Sequence, residues 1–249
     1  MTWIFVWDTN PSKIYVGDTQ VSKVFVGDTQ VRPTWWHPWA NTIAYYPLNS
    51  TTTVNDMSGN NRTLTEYDPY GNVNFWTYNW VDCCKFGGGR LYTTAMASIY
   101  PTGTILLYAN TESSGNNVNA TLVNIQFNWY VSYRWLQAAS SGNIITYYYP
   151  TAMNAVSSYN VSNTTSTRVL RAIVKDNASY KVYKNGVLVS TNNGYGGSSN
   201  TKFYIGQDGQ NYSYYYAGTI SNVIVEDKAW TASEIQDYFN NTKSNYWIS

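Results

Sequence analysis

Phe203-Tyr-Ile-Gly-Gln-Asp208, Gly218-Thr-Ile-Ser-Asn-Val-Ile-Val225 and Trp230-Thr-Ala-Ser-Glu-Ile235 are the stretches whose reading decides the fold. The first two are apolar, β-branched and aromatic, the residue types that fit a pleated, half-buried surface. The third places Glu234 three residues after Thr231, the spacing of a capping box, and Ile235, Tyr238 and Phe239 then recur at helical intervals. The expectation is two strands followed by one short capped helix.

Upstream, Arg168-Val-Leu-Arg-Ala-Ile-Val174, Ser179-Tyr-Lys-Val-Tyr183 and Val187-Leu-Val-Ser190 read as strands. Lys184-Asn-Gly186 joins the last two, and Asn-Gly accepts positive φ at both positions of a tight hairpin turn. Further back lie Thr42-Ile-Ala-Tyr-Tyr-Pro-Leu48, the turn Val54-Asn-Asp-Met-Ser-Gly-Asn-Asn61, Phe86-Gly-Gly-Gly-Arg-Leu-Tyr92 and Thr104-Ile-Leu-Leu-Tyr108. Many short strands with one helix predict an all-β, antiparallel sandwich from residue 42 to 249.

These segments, over about residues 42–92 and 168–240, resemble laminin G-like domains of the concanavalin A-like lectin-glucanase superfamily. The resemblance implies a jelly-roll β-sandwich, preceded here by a short N-terminal β-repeat module and closed by one short C-terminal helix. It also implies binding of glycans or proteins. Calcium is the one cofactor it implies, with Asp56 of the Asp-x-Ser-Gly turn as a ligand, since calcium prefers six to eight oxygens. Many relatives carry Gly-x-Ile-Asp-Asp where this chain has Gly218-Thr-Ile-Ser-Asn222, which removes acidic groups from the second half of such a site. Asp56 has a second reading, in which it orders its own turn by accepting backbone amides.

Residues 2–31 hold three ten-residue units. The second, Ser12 to Val21, and the third, Ser22 to Val31, differ only at Ile14 against Val24 and Tyr15 against Phe25. Each places an apolar triplet before Gly-Asp, the pattern of strand, turn, strand. Such repeats resemble N-terminal segments of phage tail fibre, head decoration and other virion proteins. Two readings stand: a small meander packed on the next domain, or a segment (1–34) through which chains associate as a trimeric β-stalk. In the second reading Tyr15, Val16, Phe25 and Val26 make the attachment and oligomerisation contacts. A Trp/Pro linker, residues 35–41, follows.

Composition narrows the partners. The net charge is +1 and only 12% of residues are charged, so no phosphate-neutralising surface for nucleic acid is expected. No run approaches the length of a membrane span. The start, Met1 to Asp8, lacks a basic segment and a long apolar stretch, so no secretory leader is read there. An Asn-, Thr- and Tyr-rich surface without a leader points to a virion, with an extracellular or cell-surface setting as the alternative. Adjacent Cys83 and Cys84 are expected on opposite faces of a strand, unbonded, with a strained vicinal disulfide as the lesser alternative.

Catalysis finds no constellation. The only Glu residues are Glu66, Glu112, Glu226 and Glu234, none at the alternating spacing that sets two carboxylates about 5 Å apart for retaining glycosidases. The single histidine, His37, lies in the Pro/Trp linker, so no Ser-His-Asp or Cys-His grouping forms. With 25 Tyr and 11 Trp, the candidate ligand residues are aromatic: Tyr212, Tyr214 and Tyr216 on one face of a strand, Tyr147 and Tyr149, and Trp35 and Trp36. Structural roles compete for every one of them: the tyrosines as sheet cover or intersubunit contacts, the tryptophans as a bolt between modules. The expectation is a non-enzymatic adhesion protein that recognises a glycan or partner surface. A purely structural capsid or filament decoration protein is the alternative, and a glycan hydrolase the more distant one.

Overall fold

The computed structural model describes residues 15–16, 19–20, 24–26, 29–31, 41–48, 54–69, 73–78, 81–94, 96, 102–111, 120–128, 131–137, 143–149, 154–160, 168–177, 179–193, 202–207, 215–246 and 248. The chain divides into two compact units, Met1–Ala40 and Asn41–Ser249.

In the first unit each of the last two repeats is its own antiparallel pair. β1 (Tyr15–Val16) pairs with β2 (Thr19–Gln20), and β3 (Val24–Val26) pairs with β4 (Thr29–Val31). Gly17-Asp18 and Gly27-Asp28, read from the sequence as turns, lie outside the described residues. Residues 1–14 and 32–40, including Trp35, Trp36 and His37, lie outside the described residues.

The second unit contains two antiparallel sheets. The first sheet is built from β5 (Thr42–Tyr46), β7 (Val73–Tyr78), β8 (Val81–Gly87), β10 (Thr102–Thr111), β15 (Val169–Asp176), β16 (Ser179–Lys184), β17 (Val187–Asn193) and β19 (Ala217–Glu226). Its order is β17-β16-β15-β10-β19-β8-β7, and β5 continues the β8 edge of β19. The second sheet comprises β6 (Thr65–Tyr67), β9 (Arg90–Thr93), β11 (Ala120–Asn128), β12 (Val131–Gln137), β13 (Asn143–Tyr149), β14 (Asn154–Asn160) and β18 (Lys202–Ile205), in the order β14-β13-β12-β11-β18-β9-β6. Every named pairing is antiparallel, as the alternating sequence predicts.

Alternation sorts the central strands into two cores. Ile105, Leu107 and Ala109 of β10 meet Leu91, Leu122, Val123, Phe203 and Ile205 of the second sheet, and Tyr46 stacks on Phe203 at 6.2 Å between ring centroids. Leu106 and Tyr108, on the opposite face, pack with Leu170, Ala172, Val174 and Ile224 under the helix α1 (Ala232–Thr242). Each fully buried Leu, Ile or Phe contributes about 1.5–3 kcal/mol through removal of apolar surface from water. β19 serves both cores because it bulges: the register shifts between the partners of Leu106 and Tyr108, and Asn222 takes φ 57° there. The bulge returns Val223 and Val225 to the inter-sheet core while Asn222 donates from Nδ2 to the Tyr238 hydroxyl at 2.6 Å.

The expected hairpin is present, with Asn185 at φ 49° and Gly186 at φ 83° between β16 and β17. The capping box is also present: Thr231 Oγ1 accepts from the Glu234 amide at 3.2 Å, and Glu234 Oε2 accepts from the Thr231 amide at 2.8 Å. Cys83 and Cys84 form no disulfide and are buried on opposite faces of β8, with Cys84 in the inter-sheet core, where burial pushes its thiol pKa up.

Candidate binding face

The second sheet presents its outer face away from the inter-sheet core, and the pairing register builds a polar and aromatic row there. Tyr92 of β9 is the Cα partner of Thr65 on one side and Tyr204 on the other. Tyr204 is in turn the partner of Asn124. One alternation away, Tyr67 of β6 opposes Arg90 of β9. The intervening residues Leu91, Phe203, Ile205 and Val123 all enter the core. Period-two sequences such as Arg90-Leu-Tyr92 and Phe203-Tyr-Ile205 therefore send one set inward and the other to this face.

Arg90 organises the cluster. Its guanidinium carbon lies 4.6 Å from the Tyr67 ring centroid, 5.3 Å from that of Tyr204 and 5.8 Å from that of Tyr92. A cation within about 6 Å of an aromatic face is attracted by the ring quadrupole. Tyr92 and Tyr204 stack with centroids 6.0 Å apart and planes 22° apart. Arg90 and Tyr204 are buried, Tyr92 is half-buried and Tyr67 is 39% exposed, so the cluster has a rigid base and two accessible rings. Beside it, Asn124 is fully buried with neither Nδ2 nor Oδ1 hydrogen-bonded. A buried amide without partners is costly and uncommon in a native fold.

The sequence-predicted residues distribute unevenly. Tyr147 and Tyr149 are on β13, with Tyr147 in register with Arg134 and Tyr149 with Ser132. Tyr212, Tyr214, Trp35 and Trp36 lie outside the described residues. Tyr216 is a correction: it is fully buried in the inter-sheet core and offers no face to a ligand. It begins the turn into β19 as a large apolar body, and its amide donates to the Gly206 carbonyl at 2.7 Å. Tyr67, Arg90, Tyr92, Tyr204 and Asn124 did not stand out in the sequence as ligand residues. Alternation could have flagged Arg90, Tyr92 and Tyr204, but only the pairing of strands distant in sequence brings them together.

Asp56 orders its turn. Its Oδ1 accepts from the amides of Tyr45 at 3.0 Å and Ser58 at 2.9 Å, and its Oδ2 from the amide of Arg62 at 3.0 Å. Among the described residues no three His, Cys, Asp or Glu side chains gather as a metal-ligand group. Among the described residues, too, no helix is long and apolar enough to cross a membrane.

No protein-family model matches the sequence, and no curated protein matches it. Solved structures do. Domain 4 of AbnA, a GH43 extracellular arabinanase from Geobacillus stearothermophilus determined with arabinotriose, aligns with a TM-score of 0.65 at 15% identity, covering 79% of this chain and 97% of that domain. The receptor-binding domain of botulinum neurotoxin D aligns with a TM-score of 0.62 at 14% identity, covering 81% of this chain and 53% of the toxin fragment. The binding domain of Paraclostridial Mosquitocidal Protein 1 follows at 0.60 and 13%, covering 80% and 52%. The chain spans about half the length of the two toxin fragments. At these identities the likeness establishes the fold alone, an antiparallel β-sandwich.

Proposed function

We propose that the chain is a non-enzymatic, lectin-like recognition protein whose sandwich binds a glycan on the outer face of the second sheet. The observation that carries this reading is the Tyr67, Arg90, Tyr92 and Tyr204 cluster, with the rings of Tyr67 and Tyr92 accessible. Exposed tyrosine rings stack on the C–H face of a sugar, and their hydroxyls bond its hydroxyls. Support also comes from the sandwich neighbours, one of them determined with arabinotriose. Tyr147, Tyr149, Tyr212, Tyr214, Trp35 and Trp36 remain candidates for further contacts.

The N-terminal repeat is proposed as the attachment and oligomerisation segment, joining copies of the chain, as a trimer, and docking them on other virion or surface proteins through Tyr15, Val16, Phe25 and Val26. Isolated two-stranded hairpins are marginal in water, which favours their burial against a partner.

A glycan array probed with the full chain and with Tyr67→Ala and Tyr92→Ala tests the site. Wild-type protein is expected to retain a defined set of glycans and each variant to lose at least about tenfold in apparent affinity, the scale of one lost stacking contact. Unchanged binding in both folded variants removes the site.

A further inference from the structure

A buried carboxyl stands at the start of the sandwich. Glu226, the last residue of β19, is fully buried, and its Oε1 accepts a hydrogen bond from the hydroxyl of Thr42, the first residue of β5. Its Oε2 has no hydrogen-bond partner. β5 pairs with β19 alone, and the register shifts between Val225 and Glu226. Beyond the shift the Asp227 amide donates to the Asn41 carbonyl at 3.0 Å. Asn41 is also the first residue of the second unit, so this seam lies where the chain enters the sandwich. The far side of Glu226 is held more firmly: Thr102 Oγ1 donates to the Asp227 carbonyl at 2.8 Å, and Thr104 Oγ1 donates to the Lys228 carbonyl at 2.7 Å and accepts from the Trp230 amide at 2.9 Å.

We infer that the contact between Thr42 and Glu226 is a proton-controlled clasp: with the carboxyl neutral it fastens residues 41–42 to β19, and on ionisation this end of β5 parts from β19 and admits water to the carboxylate. A neutral carboxyl tolerates burial with few hydrogen bonds, whereas an ionised one is costly there without a paired cation. Two charged groups bear on it, Asp227, which opposes ionisation, and Lys228, which favours it. Lys228 is exposed and its Nζ is bound to Glu234 of α1. Asn41 and Thr42 bring no charge, nor does Thr104, the Cα partner of Glu226 on β10, and the Trp230 side chain adds a hydrogen bond. Burial, opposed first by the Thr42 hydrogen bond, raises the carboxyl to about 7. The clasp is therefore closed below that pH and opens as pH rises through it. The β5 side yields because only the Thr42 hydroxyl and the Asn41 carbonyl bind it to β19 beyond the register shift. Asn60 Nδ2 ties the Thr42 carbonyl at 3.0 Å to the Asp56 turn instead.

Hydrogen exchange of the full chain, followed by mass spectrometry at pH 6 and pH 8 and corrected for the intrinsic pH dependence of exchange, tests the clasp. Protection in peptides spanning 41–46 and 226–231 is expected to fall about tenfold between the two pH values, while a peptide spanning 104–109 of β10 keeps its protection. Glu226→Gln, which holds a neutral side chain of the same shape at both pH values, is expected to abolish the difference. Thr42→Val, which removes the hydroxyl, is expected to show lowered protection of 41–46 already at pH 6. Wild-type protection of 41–46 that does not change with pH overturns the clasp, and this comparison stands whether or not the variants fold. A fall of equal size in Glu226→Gln assigns the change to another group and overturns it too. So does a parallel loss in 104–109, which makes the opening global.

Discussion

Asn124 shows how much a single position can say. Its amide occupies a place on β11 where the neighbouring register positions alternate between core and outer face, and it is buried there without a partner. Asn124→Leu, with the same branching and number of heavy atoms but no polar atoms, is expected to raise stability by about 1–2 kcal/mol, read as a higher denaturation midpoint. A loss of stability instead means that the amide has structural work. Gly206 is constrained in the opposite sense. It sits at φ +87°, and a Cβ there lies 2.1 Å from the buried Phe86 ring. Gly206→Ala is expected to cost roughly 2–4 kcal/mol in urea denaturation, from backbone strain added to overpacking.

Secondary-structure elements carry two further predictions. The Thr231 and Glu234 box satisfies first-turn amides of α1, and Thr231→Ala is expected to lower stability by about 1 kcal/mol without changing the fold. At the end of β19, Glu226 is fully buried and accepts a hydrogen bond from Thr42. Burial, opposed by that hydrogen bond, raises its carboxyl from the ordinary 4.5 to about 7. The native carboxyl therefore holds its proton where the unfolded chain has released it. The resulting stabilisation is complete below about pH 4.5 and disappears as pH rises through about 7, leaving the fold about 3 kcal/mol weaker at higher pH than at pH 4 through this group. Glu226→Gln is expected to flatten that pH dependence and to exceed the wild type in melting temperature at pH 8. An unaltered stability profile between pH 4 and 8 refutes the assignment.

On the scale of the whole molecule, the proposed association through the N-terminal repeat predicts that removing residues 1–40 eliminates self-association in sedimentation. The local order of the sandwich was legible in the sequence because its determinants are local. Alternation in Thr104–Tyr108 and Gly218–Val225 marks strands, Asn185-Gly186 marks the hairpin, and Thr231 with Glu234 marks the helix start. Asp56 was legible as a turn-forming residue for the same reason. Tyr216 was misplaced because alternation tells which residues share a face but not which face meets the other sheet. The sequence by itself determined an all-β chain with one capped helix, a repeat before the sandwich and no two Glu residues at alternate positions of one strand. Tertiary structure alone decided that Tyr67, Arg90, Tyr92, Tyr204 and Asn124 meet, and likewise Thr42 and Glu226. The physical reason is that cross-strand register is fixed by the burial of whole sheets, an interaction between segments as distant as β9 and β18 that no local pattern encodes.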